Sequence, residues 1–516
     1  MNNKNGVDKI LILDFGAQYA HLISRRIRDA GVYSELIHYN ITAEEIKKKN
    51  PSGIILSGGP RSVDDEDALL CDPEIYQLGI PILGICYGLQ LITHQLNGKV
   101  DKKTKREYGQ VSLRIDEKLD LFKDLPDRLI CWMSHADATE NLPESFETIA
   151  HTANSSFAAI RHSTKKIFGV QFHPEVAHTE KGSKIIKNFL YEVCGCKPNW
   201  SMVSFVNSSI EMIRKQVKEE QVLCALSGGV DSSVTALLIH RAIGNNLTCI
   251  FINHGLLRKG ESEQVAKTFK KNFKIKMIIV DASKKFLKRL KGVEDPEMKR
   301  KIIGNEFINV FTEEGEKIGK FQWLAQGTLY PDVIESSGDG SPASMIKTHH
   351  NVGGLPEKLS FKLLEPLRNI YKDEVRELAT MLGLPQEIIE RHPFPGPGMA
   401  VRVIGAVTNE KLRICREASW IIEEELKDRK IYGKVWQAFA VVGDDKVTGV
   451  SGDKRNYGHI VIIRIVESVD AMTADWTRLP YPVLQVISNR ITNEIRGVTW
   501  VTYAISSKPP STIEPQ

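Results

Sequence analysis

The sequence predicts an α/β protein in which two doubly wound parallel-sheet domains are followed by a small α+β domain. In the first two regions, short apolar runs alternate with helical segments, the pattern typical of a mostly parallel sheet. In the last region, helical segments and strands follow one another without that alternation. The chain has 516 residues, enough for roughly three to four domains. We predict domains at 1–197, 198–391 and 392–516.

Composition and charge narrow the possible partners. Apolar residues make up 42% of the chain and charged residues 26%, which is ordinary for a globular protein. The net charge of +5 is small for this length, so we expect no nucleic-acid partner. We also expect no membrane partner, because we find neither a signal-peptide core nor a membrane-spanning apolar stretch. The eight cysteines are scattered, several in apolar runs, which favours reduced thiols in a cytoplasmic protein.

The first region contains a candidate nucleophile at a strand end. Apolar runs predict strands at 9–15, 33–37, 53–56 and 81–85. The last run leads into Gly84-Ile85-Cys86-Tyr87-Gly88, the pattern of a nucleophile elbow with cysteine in the serine position. The glycines permit a sharp turn, and the helix start that follows favours the thiolate. We predict that N–H groups of Tyr87 and Gly59 form an oxyanion hole beside Cys86.

A cysteine nucleophile needs a base, and the sequence offers one at another predicted strand end, Val170-Gln171-Phe172-His173-Pro174-Glu175. His173 can take the thiol proton, and Glu175 can orient the imidazole ring. A lone buried cysteine is usually part of a core, and a lone His-Pro-Glu is usually a turn. Both patterns at strand ends of one predicted domain favour a catalytic triad of Cys86, His173 and Glu175.

Together with Asp14-Phe15-Gly16 and Ser57-Gly58-Gly59-Pro60, these motifs resemble the class I glutamine amidotransferases over residues 8–193. The resemblance implies that the triad hydrolyses glutamine to glutamate and ammonia. It also implies that Gln90 and Asp137, the latter in the segment Ser134-His135-Ala136-Asp137, lie near the bound glutamine.

The second region opens with an apolar run, 222–226, that leads into a glycine turn and a helical stretch. N–H groups of such a turn, next to a helix N-terminus, favour a phosphate group. Asp231 makes sense there if it holds a magnesium ion that phosphates share. A lone Ser-Gly-Gly would be an ordinary turn, and the Gly-Lys-Ser/Thr ending of a Walker loop is missing. The full loop resembles the N-type ATP pyrophosphatases, which implies ATP contacts at Ser227, Gly228, Gly229, Val230, Asp231, Ser232 and Ser233.

Three further stretches have distinctive compositions. The Pro- and Gly-rich segment 391–400, RHPFPGPGMA, is predicted by its composition to be a domain hinge. The chain closes with 508–516, KPPSTIEPQ. We interpret the polar loop 346–354 as lying near phosphate, with Lys347 as its charge partner.

Taken together, these motifs, from the Cys86 elbow to the C-terminal tail 508–516, resemble the glutamine-hydrolysing GMP synthetases. The resemblance covers essentially the full length of the chain. The resemblance implies that ATP adenylates XMP with Mg²⁺, and that ammonia then displaces AMP to give GMP. It implies a homodimer joined through the C-terminal domain. Residue by residue, it implies XMP contacts at Arg300, Asp453, Lys508 and Glu514, with a solvated terminal lysine as the competing interpretation of Lys508. The tail departs from the family pattern, because 514–516 read Glu-Pro-Gln where the family usually closes with Glu-Trp-Glu. Ala504 also stands where the family often has Asp.

Three alternatives remain open. The chain could amidate a different acceptor with the same two sites. It could transfer sulfur to tRNA, although we find neither a basic nucleic-acid face nor catalytic cysteines in the middle region. It could also be a binding protein that keeps an inactive glutaminase, although Cys86, His173, Glu175 and Asp231 are all present.

Overall fold

The computed structural model describes residues 8–17, 19–330, 332, 361–451, 453–468 and 473–516, apart from the side chains at 102–105 and 451. The chain forms two compact units, Met1–Phe205 and Val206–Gln516. The boundary between them falls within a helix, α5 (Met202–Val217).

The first unit is built on one large sheet. Its elements in chain order are β1 (Lys9–Asp14), α1 (Ala20–Asp29), β2 (Tyr33–His38), α2 (Ala43–Lys49), β3 (Gly53–Leu56), β4 (Ile82–Ile85), α3 (Tyr87–Gln95), β5 (Lys99–Ile115), β6 (Arg128–Asn141), β7 (Phe146–His151), β8 (Ala159–His162), β9 (Ile167–Val170) and α4 (Gly182–Asn188). Within the described residues, the strand order is β2-β1-β3-β4-β9-β8-β7-β5-β6.

The sheet is parallel from β2 to β9 and antiparallel from β9 to β6. In the parallel part, every residue of β3, β4 and β9 is buried, as expected for strands covered on both faces. The antiparallel part was not among the strands predicted above. Buried and accessible positions alternate along the first half of β6, which is typical of a sheet with one accessible face.

The second unit contains two sheets. Its elements after α5 are β10 (Val222–Ala225), α6 (Val230–Ile243), β11 (Leu247–Asn253), α7 (Glu261–Ala266), β12 (Met277–Asp281), α8 (Ser283–Arg289), α9 (Pro296–Ile318), β13 (Trp323–Ala325), β14 (Lys362–Leu364), α10 (Lys372–Met381), α11 (Gln386–Ile389), α12 (Asn409–Asp428), β15 (Gln437–Ser451), β16 (Lys454–Glu467), β17 (Asp475–Trp476), α13 (Tyr481–Glu494) and β18 (Val498–Tyr503).

The first of these sheets is parallel throughout, with the order β12-β11-β10-β13-β14. In the second sheet, β16 pairs antiparallel with β15 and β17 and parallel with β18. These layers agree with the predicted fold class, which is confirmed.

One hydrophobic core is shared by the parallel sheet and the C-terminal sheet of the second unit. It contains Leu223 and Ile250 of the parallel sheet together with Ala440 and Val461 of the C-terminal sheet. The Pro- and Gly-rich segment 391–400 contributes Met399 and Ala400 to this core. The Met399 N–H also donates to Leu256 O at 2.9 Å. The domain boundaries at 197 and 391 stay predictions. Among the described residues, no helix is long and apolar enough to cross a membrane.

Candidate active sites

Cys86 sits on a strained turn between β4 and α3. Its backbone has φ 54° and ψ −104°, a region that residues with a side chain rarely adopt. Both flanking glycines are sterically required. A Cβ on Gly84 would lie 2.5 Å from the Gly88 carbonyl carbon, and a Cβ on Gly88 would lie 2.3 Å from Leu56 O. The elbow therefore depends on glycine at 84 and 88, and it holds Cys86 at the carboxyl edge of the parallel strands.

His173 and Glu175 follow β9, the strand next to β4. His173 Nδ1 lies 2.7 Å from Glu175 Oε1, and both side chains are buried. Burial lowers the pKa of His173, but hydrogen bonds to Cys86 and Glu175 outweigh it and raise this pKa to about 10. At neutral pH the imidazole is therefore mainly protonated. The structure thus brings together the three residues of the predicted triad.

The turn after β3 borders the side chains of Cys86 and His173. A Cβ on Gly58 would lie 3.5 Å from His173 Cε1 and 4.0 Å from Cys86 Cβ, so this backbone borders both side chains. A Cβ on Gly59 would lie 3.1 Å from the Tyr87 ring. Gly59 and Tyr87, the two predicted oxyanion-hole residues, are therefore neighbours.

The predicted glutamine-binding residues also contact each other. Gln90 Nε2 donates to the Asp137 carbonyl oxygen at 2.8 Å. Sequence reasoning missed Gln171, whose Nε2 lies 3.7 Å from Cys86 Sγ and whose Oε1 lies 3.5 Å from Gln90 Nε2. Its position just before His173 at the end of β9 was the available signal.

In the second unit, β10 leads through the glycine turn into α6, as predicted. Gly228 has φ 81°, which explains a glycine there. Ser233 Oγ donates to Gly229 O at 2.7 Å, and Ser232 Oγ donates to the same oxygen at 3.1 Å. Ser227 Oγ lies 3.0 Å from Ser232 Oγ. The three serines thus hold the shape of the loop.

Two basic residues that sequence reasoning did not connect with this loop contact it. Lys372 at the start of α10 forms an ion pair with Asp231. The Arg391 guanidinium donates to Gly228 O at 3.2 Å and to Glu261 Oε1 at 2.8 Å. No local pattern marks either residue, because each lies more than 140 positions further along the chain.

The four predicted XMP contacts lie in three places. Arg300 Nη2 donates to Gln516 O at 2.6 Å, and Glu514 Oε1 lies 3.3 Å from Arg402 Nη2, so both residues lie at the C-terminal tail. Lys508 pairs through its backbone with Ala474. Asp453 is exposed in the turn between β15 and β16. The loop 346–354 with Lys347 lies outside the described residues.

The comparisons with known proteins agree with the layers of the fold. The family model for class I glutamine amidotransferases matches residues 11–193, and the model for NAD synthase matches residues 203–304. The model for the GMP synthase C-terminal domain matches residues 424–515. Fold and models together define a class I glutamine amidotransferase fused to a nucleotide-dependent synthetase.

Full-length relatives name the family. The chain is 55% identical over 507 residues to a glutamine-hydrolysing GMP synthase of Bacillus subtilis, covering 98% of each chain. It is 56% identical over 506 residues to one of Carboxydothermus hydrogenoformans, covering 98% of this chain and 99% of the relative. A third, from Rippkaea orientalis, is 54% identical over 512 residues, covering 98% of this chain and 94% of the relative. The chain belongs to the glutamine-hydrolysing GMP synthase family, and the predicted family is confirmed.

Proposed function

We propose that this chain hydrolyses glutamine and uses the ammonia and ATP to convert XMP to GMP, with release of AMP and pyrophosphate. The observation that carries the proposal is the presence in one chain of both candidate sites. The first unit has a strained elbow cysteine beside a buried His–Glu pair, and the second has a glycine loop at a helix start. The activity is the one that family membership implies.

For glutamine hydrolysis, we propose that the Cys86 sulfur attacks the carboxamide carbon of glutamine. The C–N bond then breaks, ammonia leaves, and a glutamyl thioester stays on the sulfur until water hydrolyses it to glutamate. His173 is mainly imidazolium at neutral pH, so it can give a proton to the leaving nitrogen. Glu175 holds Nδ1, which leaves Nε2 for proton transfer.

The remaining roles in the first unit follow from position. Backbone N–H groups of Gly59 and Tyr87 are our candidates for stabilising the oxyanion, since the two residues are in contact beside the elbow. Gln90 and Asp137 are our candidates for binding glutamine, because their mutual hydrogen bond lies one helical turn from Cys86.

For the synthetase reaction, we propose that residues 227–233 bind the phosphates of ATP. The start of α6 and the Gly228 turn suit an anion. Asp231 is a partly exposed carboxylate in the first turn of α6, which fits an ion that is held by one protein oxygen ligand and by phosphates. When bound, Mg²⁺ would neutralise phosphate charge. Among the described residues, no cluster of three or more His, Cys, Asp or Glu could enclose a metal by itself.

For XMP, we propose contacts with Arg300, Asp453, Lys508 and Glu514. Arg300 and Glu514 have their side chains at the tail, where a ligand would be recognised by charge and hydrogen bonds together. ATP would adenylate the 2-oxygen of XMP and release pyrophosphate. Ammonia would then displace AMP, leaving GMP.

The choice of acceptor gives the direct test, because the NAD synthase model also matches the second unit. Pyrophosphate release from ATP is measured with XMP and with deamido-NAD, and glutamate release from glutamine is measured in parallel. We expect pyrophosphate with XMP alone. Release that requires deamido-NAD would replace the proposal by an NAD synthetase activity.

We also propose that the protein is a cytoplasmic homodimer that pairs through the C-terminal sheet. Val450 of β15 and Tyr457 of β16 share one face of that sheet, because Val450 is opposite Arg455, two positions from Tyr457. Their side chains are 76% and 73% exposed. Large exposed apolar side chains on one sheet are typical of a surface that a second copy covers.

A further inference from the structure

A second buried histidine–carboxylate pair lies in the first unit, apart from His173 and Glu175. Glu107 on β5 and His135 on β6 are directly opposite each other in the antiparallel ladder. Glu107 Oε2 lies 3.4 Å from His135 Nε2, and the two side chains are only 3% and 4% exposed. Burying two such groups costs free energy, so the pair needs an explanation beyond filling space.

The hydrogen bonds of the pair fix its orientation. His135 Nδ1 lies 2.9 Å from the Asp137 carbonyl oxygen, and a carbonyl can only accept, so Nδ1 carries a hydrogen. The other ring nitrogen then faces Glu107, whose second oxygen accepts from Thr152 Oγ1 at 2.9 Å. Burial raises the pKa of Glu107, but the neighbouring His135 ring and the hydrogen bond from Thr152 outweigh burial and lower this pKa.

The same carbonyl oxygen connects the pair to the candidate active site. Asp137 O accepts from His135 and from Gln90 Nε2, so both of its lone-pair directions are used. From Gln90 the contacts continue through Gln171 to the Cys86 sulfur. Glu107 is thus the far end of a buried chain of polar contacts that ends at the proposed nucleophile.

We propose that His135, oriented by Glu107, is a positioning residue of the glutamine site, because it holds the Asp137 peptide and the Gln90 carboxamide in place. The inference rests on the proposed function, in which these two groups bind glutamine. His135 does not contact the Cys86 sulfur in this chain of contacts. It therefore acts on substrate binding and not on the bond-breaking step, and its loss raises KM for glutamine while kcat changes little.

Two substitutions at one position separate the contacts of the ring. An asparagine amide nitrogen takes the place of Nδ1, whereas a glutamine amide nitrogen takes the place of Nε2. His135→Asn therefore keeps the donor to Asp137 O, and His135→Gln loses it. We expect His135→Gln to raise KM for glutamine by about three- to tenfold, the effect of one lost hydrogen bond. His135→Asn loses only the contact with Glu107 and should raise KM less.

Synthesis with ammonium salt in place of glutamine is measured on the same preparations and should match wild type for both variants. Equal KM values for wild type, His135→Asn and His135→Gln would overturn the proposal. An equal loss of kcat in both variants, together with unfolding at a lower urea concentration, would also overturn it. That result would indicate that His135 has a purely structural role.

Glu107→Gln provides an independent variant that keeps the size of the side chain and leaves the ring in place. We expect it to raise KM for glutamine and to spare ammonia-dependent synthesis. An unchanged KM would remove Glu107 from the proposal. A wild-type protein that releases no glutamate from glutamine would instead overturn the proposed function, so the two failures are distinguishable.

Discussion

Lys372 Nζ lies 2.6 Å from Oδ1 and 2.5 Å from Oδ2 of Asp231, so one ammonium group spans both oxygens of the carboxylate. Both side chains are partly exposed, 45% for the lysine and 31% for the aspartate. Lys372 therefore neutralises the carboxylate that we propose as the Mg²⁺ ligand. A metal ion at Asp231 must displace this ammonium group or share the carboxylate with it.

Asp231→Asn should abolish XMP-dependent pyrophosphate release and leave the fold intact. A neutral amide is a poorer magnesium ligand than a carboxylate, and the partly exposed loop does not need the charge to fold. Pyrophosphate release and circular dichroism are measured together. Near-normal release at saturating Mg²⁺ would contradict the proposed role.

Lys372→Met is the complementary change, because it removes the ammonium group and keeps the carboxylate. We expect adenylation to persist and to reach half its maximum at a lower Mg²⁺ concentration than in wild type, since one competing cation is gone. A magnesium titration of pyrophosphate release checks this. Loss of activity at every Mg²⁺ concentration would instead make Lys372 a contact of ATP itself.

Cys86→Ala should separate the two proposed reactions. Without the sulfur no thioester forms, so GMP synthesis from glutamine should stop. The second unit is unchanged, so synthesis from ammonium salt should continue at alkaline pH, where free ammonia is more abundant. Retained synthesis from glutamine would show that Cys86 is not the nucleophile. Loss of both activities in a folded variant would refute the two-site scheme.

The raised pKa of His173 predicts a pH dependence of stability. The ordinary pKa of 6.5 rises to about 10 in the folded protein, so the protonated ring stabilises the fold fully below pH 6.5. This contribution falls as the pH increases and is lost near pH 10. Since Glu175→Gln removes part of it, the difference in free energy of unfolding between wild type and Glu175→Gln should shrink over this range.

Urea unfolding at several pH values measures that difference. Glu192→Gln serves as the control, because Glu192 is a 41% exposed partner of Lys123 and contacts no histidine in the described hydrogen bonds. We expect no comparable narrowing for it. If the difference in free energy of unfolding between wild type and Glu175→Gln stays constant up to pH 10, His173 does not titrate in this pH range.

Gly88→Ala should destabilise the first unit. The added Cβ would lie 2.3 Å from Leu56 O, and overpacking of this kind costs about 1–3 kcal/mol. The control is Gly433→Ala, whose Cβ would meet no atom within 4 Å. The free energy of unfolding by urea is the measurement. Equal stabilities of the two variants would show that the elbow can move away from β3.

Val450→Lys combined with Tyr457→Lys should convert the proposed dimer into a monomer, because two charges would be buried at the interface. Tyr108→Lys is the matched control, since Tyr108 is 60% exposed on a strand of the first unit. Light scattering gives the mass of each variant. A wild type that is already monomeric, or a double variant with unchanged mass, would refute pairing through this sheet.

Local patterns predicted the parts of the fold that local sequence determines. The strand Gly53–Leu56 matches its predicted bounds, because a buried parallel strand is a continuous apolar run that ends in a polar turn. The elbow and the phosphate loop were found because their glycines serve turns whose geometry is set within a few residues.

Contacts between distant residues were not predictable in this way. Lys372 is 141 positions from Asp231, and Arg391 is 163 positions from Gly228, so no spacing rule connects them. Glu107 and His135 meet only because β5 and β6 pair in one register. The antiparallel part of the first sheet was missed for the same reason, since strand pairing is decided by the fold as a whole.

The common core of the second unit has a consequence for synthesis of the protein on the ribosome. Leu223 and Ile250 leave the ribosome long before Ala440 and Val461, with which they share that core. The first unit contains its own core and can fold as soon as it emerges, whereas the nucleotide-binding half must wait for the last strands. We expect limited proteolysis of stalled nascent chains to cut the second unit until translation is nearly complete, so a chain that ends early exposes apolar surface and becomes a substrate for chaperones and proteases.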